Sequence, residues 1–142
     1  MSSIVLDTNV LIDYVMPDRP ESDSALRLVL ACHRHEYTAY VSASSLNDFY
    51  YVSRKFIGEQ AARDWVNLFI RMFEIEPLDV EACAIAVSSD EPDFEDACIR
   101  AIAERAQVDF IITRDRTAFA RSWVKTYSPR RFLELFPPRD PA

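Results

Sequence analysis

Glycine is almost missing from this chain: Gly58 is the only one among 142 residues. Walker loops and dinucleotide fingerprints need several glycines to bring the backbone close to phosphates, so nucleotide-cofactor binding of that kind is excluded. Histidine is nearly as scarce. His33 and His35 stand two apart, a spacing that puts them on different faces of a helix, so they form no HExxH zinc motif and read as solvated surface side chains. Cys32, Cys83 and Cys98 are odd in number and lack CxxC spacing, which suits buried thiols in a reducing compartment rather than a disulfide framework. No apolar run approaches the roughly 18 residues that would span a bilayer, and Met1-Ser2-Ser3 leads straight into an apolar strand. The expectation is a chain that is neither secreted nor membrane-inserted, with a cytoplasmic location.

What is present is a core. Hydrophobic residues make up 49% and aromatics 12%, enough at this length to bury about 68–70% of the unfolded surface in a single domain. Formal charge is −7, unevenly spread: residues 1–106 carry 9 basic and 19 acidic side chains, whereas residues 107–142 carry 7 basic and 4 acidic ones. The final quarter is therefore the cationic part of an acidic protein.

Patterning places the elements. Ile4-Val5-Leu6 and Phe110-Ile111-Ile112-Thr113 are short continuous apolar runs, as expected of strands buried on both faces. Tyr37–Ser42 is rich in aromatic and β-branched residues, Glu74-Ile75-Glu76 alternates, and Lys125–Tyr127 completes a strand set. Between them lie helical patterns: one after the first strand, one starting at Pro20, one capped at Ser44-Ser45 and closed by Gly58, and one through Ala62, Trp65 and Phe69. Others are opened by Asp79, by Asp93 and by Ser128-Pro129, with a short helix around Phe119. Phe49, Tyr50, Tyr51 and Phe56 recur at helical spacing and read as core. Strands alternating with helices predict an α/β fold, a three-layer α/β/α single domain with a mostly parallel central sheet, spanning 1–136, with a loose tail at 137–142.

In such a sheet, ligands bind beyond the carboxyl ends of the strands, where strand order reverses. Four acids fall at positions that can reach one edge. Asp7 and Asp115 follow the two buried strands, and Asp48 and Asp96 are placed in the first turns of helices. Crowded carboxylates raise one another's pKa unless cations neutralise them, and oxygen-only ligation suits Mg²⁺ or Mn²⁺. Such ions can activate water and stabilise both the attacking and the leaving oxygen of a phosphodiester. Capping competes with this reading at each position, because Ser45-x-x-Asp48 and Asp93-x-x-Asp96 both look like capping boxes.

Four segments occur in a telling order: Asp7-Thr8-Asn9-Val10-Leu11-Ile12-Asp13; Ser42-Ala43-Ser44-Ser45-Leu46-Asn47-Asp48; Asp93-Phe94-Glu95-Asp96-Ala97; and Phe110-Ile111-Ile112-Thr113-Arg114-Asp115 with Phe119 behind it. Together with the closing Ser128–Leu133 segment, the chain resembles the PIN-domain nucleases, the family that includes the VapC-type toxins of bacterial toxin–antitoxin pairs. The resemblance implies that Asp7, Asp48, Asp96 and Asp115 are catalytic and hold Mg²⁺ or Mn²⁺, with Asn9 and Thr113 orienting them. The family usually has Glu where this chain has Asp48, a carboxylate one methylene shorter. It also often has an acid where this chain has Ala118. Asp93 and Glu95 are read as helix-start residues that deepen the negative field.

The implied activity is RNA hydrolysis leaving a 5′-phosphate, with an antitoxin protein as partner. A homodimer stays open as the chain's own assembly. Arg114 and Arg116, flanking Asp115, are the expected RNA-binding cations, with Arg121, Lys125, Arg130 and Arg131 as further candidates. Two rival readings stand beside this one. The first is a non-cleaving RNA- or protein-binding module of the same fold. The second is a receiver-like phosphoacceptor, which would need a lysine near the last strand, where only Lys125 is available.

Overall fold

The computed structural model describes residues 1–139. The chain runs β1 (Ser2–Leu6), α1 (Thr8–Val15), α2 (Ser22–His33), β2 (Tyr37–Ser42), α3 (Ala43–Ile57) and α4 (Glu59–Met72). It continues through β3 (Glu74–Glu76), α5 (Val80–Ser88), α6 (Phe94–Arg105), β4 (Phe110–Ile112), β5 (Lys125–Tyr127) and α7 (Pro129–Leu135). All four strand pairings are parallel, in the order β3-β2-β1-β4-β5. The expected α/β/α architecture is therefore present.

The strand period of two explains the layers. Ile4 and Leu6 of β1, with Ile112 of β4, join one core that includes Leu11, Leu28, Phe49, Phe69 and Phe132. Val5 and Ile111 point the other way, into a second core with Ile99 and Ala103 of α6 and with Phe119. Both faces of β1 are thus buried, which is why its run of apolar residues is continuous rather than alternating. A third, small-residue cluster of Ala86, Ala97, Cys98 and Ala101 lets α5 approach α6 closely.

Local chemistry sets most boundaries. Asp79, Asp93 and Ser128 accept hydrogen bonds from the first-turn amides of α5, α6 and α7. Gly58, at φ +86°, closes α3 and opens α4, a backbone conformation that glycine adopts without a Cβ penalty.

Several expectations need correction. The cap of α3 is Ser42, which accepts from the Ser44 amide at 3.2 Å, so Asp48 lies in the second helical turn and Ser45–Asp48 is no capping box. The helix expected from Pro20 starts two residues later, at Ser22. No helix forms around Phe119; the segment turns through Phe119 itself, at φ +66° with its ring 1% exposed. Of the aromatic set on α3, Phe49 is core, but Tyr51 and Phe56 are exposed. His33 and His35 are at the surface as expected, while Cys83 is only half-buried.

Of the expected loose tail, Arg139 is tied to Glu36, whose carboxylate accepts from its amide at 3.3 Å and pairs with its guanidinium at 3.5 Å. Residues 140–142 lie outside the described residues. No helix among the described residues is long and apolar enough to cross a membrane.

Candidate active site

The order β3-β2-β1-β4-β5 reverses direction between β1 and β4. The crevice beyond the carboxyl ends of those two strands is the place where a parallel α/β sheet binds ligands. Asp7 is the residue after β1, and Thr113 the residue after β4. The Asp7 amide donates to the Ile112 carbonyl at 2.9 Å, so the two strand ends are locked together at this point.

Asp7 is 6% exposed and held on both oxygens. Its Oδ1 accepts from the Thr8 amide at 2.8 Å, the N-cap of α1. Its Oδ2 accepts from the Thr113 hydroxyl at 2.8 Å and from Asn9 Nδ2 at 3.3 Å. Asn9 Nδ2 also donates to Thr113 Oγ1 at 3.0 Å, and Asn9 Oδ1 accepts from the Arg114 amide at 3.2 Å. Asn9 and Thr113 thus hold a nearly buried carboxylate in place. Burial pushes the Asp7 carboxyl above its usual range, against the lowering effect of Thr113 and Thr8.

Asp115 behaves in the opposite way. Its Oδ1 accepts from the Thr117 amide, the Ala118 amide and the Thr117 hydroxyl, at 2.9, 3.2 and 3.1 Å. These hydrogen bonds hold its carboxyl below the ordinary value. Among the described residues, its Oδ2 accepts none.

On the facing side, α6 presents Asp96 in its first turn, with the Asp96 amide donating to the capping Asp93 Oδ2 at 3.0 Å. Asp93 therefore supplies the side-chain cap of α6. Burial, and then the charges of Asp7, Asp93, Asp115 and Glu91, push the Asp96 carboxyl up to about 7.

Asp48 reaches the same field from α3. Burial raises its carboxyl, and its charge is the leading cause that raises Glu95. Asp7, Asp48, Asp96 and Asp115 are thus brought into one electrostatic neighbourhood, with Glu95 as a fifth member. Glu91, Asp93, Asp96 and Asp115 line a pocket of about 440 Å³. These carboxylates share the crevice without converging on a point. Among the described residues, no three His, Cys, Asp or Glu side chains form a ready-made cation cage.

Two acids do structural work that sequence reasoning missed. Asp13 is 0% exposed on α1, and its Oδ2 accepts from Arg114 Nε at 2.8 Å. Arg114, one of the expected RNA-binding cations, thus has its Nε held by a buried carboxylate while its side chain stays 34% exposed. The available signal was an acid on the buried stripe of an amphipathic helix, next to Val10 and Leu11. Glu91 has a side chain 3% exposed and receives the amide of Phe119 at 3.1 Å and Arg100 at 3.4 Å. It anchors the left-handed turn at Phe119, and nothing local in the sequence announced it. Arg116 is exposed and, among the described residues, carries no hydrogen bond or ion pair.

A parallel α/β domain with oriented carboxylates gathered at its switch point is the class these observations define. The family model described as PIN domain matches residues 3–117, and the chain belongs to the PIN domain family. Among solved structures it is similar to VapC20 of Mycobacterium tuberculosis, described as a sarcin-ricin loop cleaving toxin, with a TM-score of 0.72 at 17% identity over 86% of this chain and 97% of that one. It is also similar to FitAcB from Neisseria gonorrhoeae, with a TM-score of 0.69 at 19% identity over 89% of this chain and 98% of that one. VapBC2 from Rickettsia felis, solved bound to a promoter DNA fragment, gives 0.64 at 15% identity over 89% and 98%. At such identities the likeness is one of fold. No curated protein matches the chain.

Proposed function

We propose that this chain is a divalent-metal-dependent endoribonuclease and the toxin of a toxin–antitoxin pair. The single observation that carries the metal-dependent chemistry is the gathering of carboxylates at the switch point, where burial and then the charges of Asp7, Asp93, Asp115 and Glu91 push Asp96 up to about 7. The toxin role and the antitoxin partner rest on family membership and on the likeness to VapC20 and VapBC2.

The donor set fits a hard cation: every polar side chain lining the pocket, Glu91, Asp93, Asp96, Asp115 and Thr117, offers a carboxylate oxygen or a hydroxyl. Asp7, Asp96 and Asp115 would hold Mg²⁺ or Mn²⁺, with Asp48 and Glu95 at the outer side. Such an ion supplies a more acidic bound water and charge stabilisation for a phosphodiester. The chain's own residues do the positioning. Thr113 and Asn9 fix the orientation of Asp7. The Thr117 and Ala118 amides fix Oδ1 of Asp115. Arg116 supplies positive charge beside the acids for the RNA backbone.

The test is cleavage of single-stranded RNA by the purified chain with Mg²⁺ or Mn²⁺ and with EDTA. Cleavage that needs the ion, leaves a 5′-phosphate and collapses in Asp7→Asn and Asp96→Asn without loss of folding is the expected result. One observation favours a second reading, a module of this fold that binds RNA or protein without cutting. The acids form no ready-made cage, and Asp48 is shorter than the glutamate usual in the family. RNA affinity with no product formed even in Mg²⁺ or Mn²⁺ would select that reading.

A further inference from the structure

Beside the acidic pocket lies a larger cleft of opposite sign. It has a volume of about 650 Å³ and opens between the end of β4, the β5–α7 turn and the segment before α2. Asp115 and Ala118 line both spaces, so the two are contiguous and Asp115 is the wall between them. Arg114, Arg116, Arg130 and Arg131 face the cleft, against Glu21 and Asp115. A surplus of cations this local, in a chain of net charge −7, is a placed feature.

The four arginines differ in what holds them. Arg114 is pinned by Asp13 and forms a fixed wall. Arg116 has no partner among the described residues. Arg130 and Arg131 share one exposed carboxylate, Glu134, at 3.3 and 3.1 Å, and their side chains are 82% and 59% exposed. Exposed pairs of this kind contribute little and are readily exchanged for a better anion. A phosphate, with oxygens that match the guanidinium fork, is such an anion. Because the two spaces share Asp115 and Ala118, the cleft lies next to a phosphate held in the acidic pocket.

We propose that the cleft is a flanking-phosphate subsite, which takes the backbone phosphodiester of RNA adjacent to the one held at the carboxylates, with Arg116, Arg130 and Arg131 as its cations. The proposal rests on the nuclease reading and deepens it, since it fixes where the strand leaves the site.

The experiment measures binding of a labelled single-stranded 12-mer RNA to the full chain in EDTA, across a potassium chloride series, for wild type, Arg116→Ala, Arg131→Ala and the double variant. Arg71→Ala, on α4 away from the cleft, serves as the control. Each cleft arginine removed is expected to weaken binding roughly tenfold and to flatten the dependence of log affinity on log salt by about 0.7, with Arg71→Ala matching wild type. All three arginines are on the surface, and melting temperatures verify folding. Cleft variants with wild-type affinity and salt slope would overturn the proposal. So would a site for free phosphate alone, seen as inorganic phosphate raising the melting temperature of wild type and not of the double variant while RNA affinity is the same in both. Failure of the nuclease reading is separately visible, as wild-type protein that yields no product with Mg²⁺ or Mn²⁺.

Discussion

Replacing Asp96 by Asn should make the protein more stable while disabling it, and the gain should depend on pH. In the fold, burial and the charges of Asp7, Asp93, Asp115 and Glu91 raise the Asp96 carboxyl to about 7, from an ordinary value of 3.8. Because the folded value lies above the unfolded one, the contribution is fully present below about pH 3.8 and is lost as pH rises through about 7. At 1.36 kcal/mol per tenfold change in proton affinity, full conversion would be about 4 kcal/mol. Solvent reaches the half-buried carboxylate and screens it, which leaves about 1–2 kcal/mol. The N-terminus of α6 favours a carboxylate in its first turn by about 0.5 kcal/mol, so Asn should gain a net of about 1 kcal/mol at pH 8.5. At pH 5.0, where part of the folded Asp96 is protonated, the electrostatic part is smaller than at pH 8.5. Urea unfolding of both proteins in EDTA at the two pH values measures this directly. An Asp96→Asn protein that is no more stable than wild type at pH 8.5, or whose advantage ignores pH, would refute the claim that the carboxylates crowd one another.

Three further outcomes follow from the same contacts. Mn²⁺ at about 100 times its dissociation constant should stabilise wild type by about 2.7 kcal/mol and leave Asp7→Asn nearly unmoved, read as a melting-temperature shift that EDTA reverses. Phe69→Ala should cost about 3–5 kcal/mol in denaturant unfolding, since the ring is fully buried among Phe49, Tyr14, Trp65 and Phe73. Asp13→Ala should cost about 2–3 kcal/mol by releasing Arg114 from its buried partner, and should lower RNA cleavage because Arg114 precedes Asp115.

Much of the scaffold was legible because its signals are local. The strands Tyr37–Ser42, Glu74–Glu76 and Lys125–Tyr127 and the caps Asp79, Asp93 and Ser128 appear where pattern and capping chemistry placed them. Expectations failed where a tertiary contact overrode a local preference. The Ser45–Asp48 spacing imitates a capping box, but β2 runs on to Ser42, and the helix takes its cap there. The segment around Phe119 has helical spacing, yet the buried carboxylate of Glu91 takes the Phe119 amide and turns the chain instead. The exposed Tyr51 and Phe56 show that helical spacing of aromatics does not say how many of them the core has room for.

The sequence by itself determined which acids follow buried strands and which open helices, because strand burial, turn residues and N-caps depend on neighbours a few positions away. The tertiary structure alone decided that those acids meet. Asp7 and Thr113 are 106 residues apart, and only the pairing of β1 with β4 puts the Thr113 hydroxyl 2.8 Å from Asp7. It also decided the fate of Arg114, which Asp13 captures, and left Arg116, Arg130 and Arg131 facing the cleft across Asp115. Electrostatic interactions between residues this far apart in the chain depend on distance through space, which is set by strand order and has no local signature.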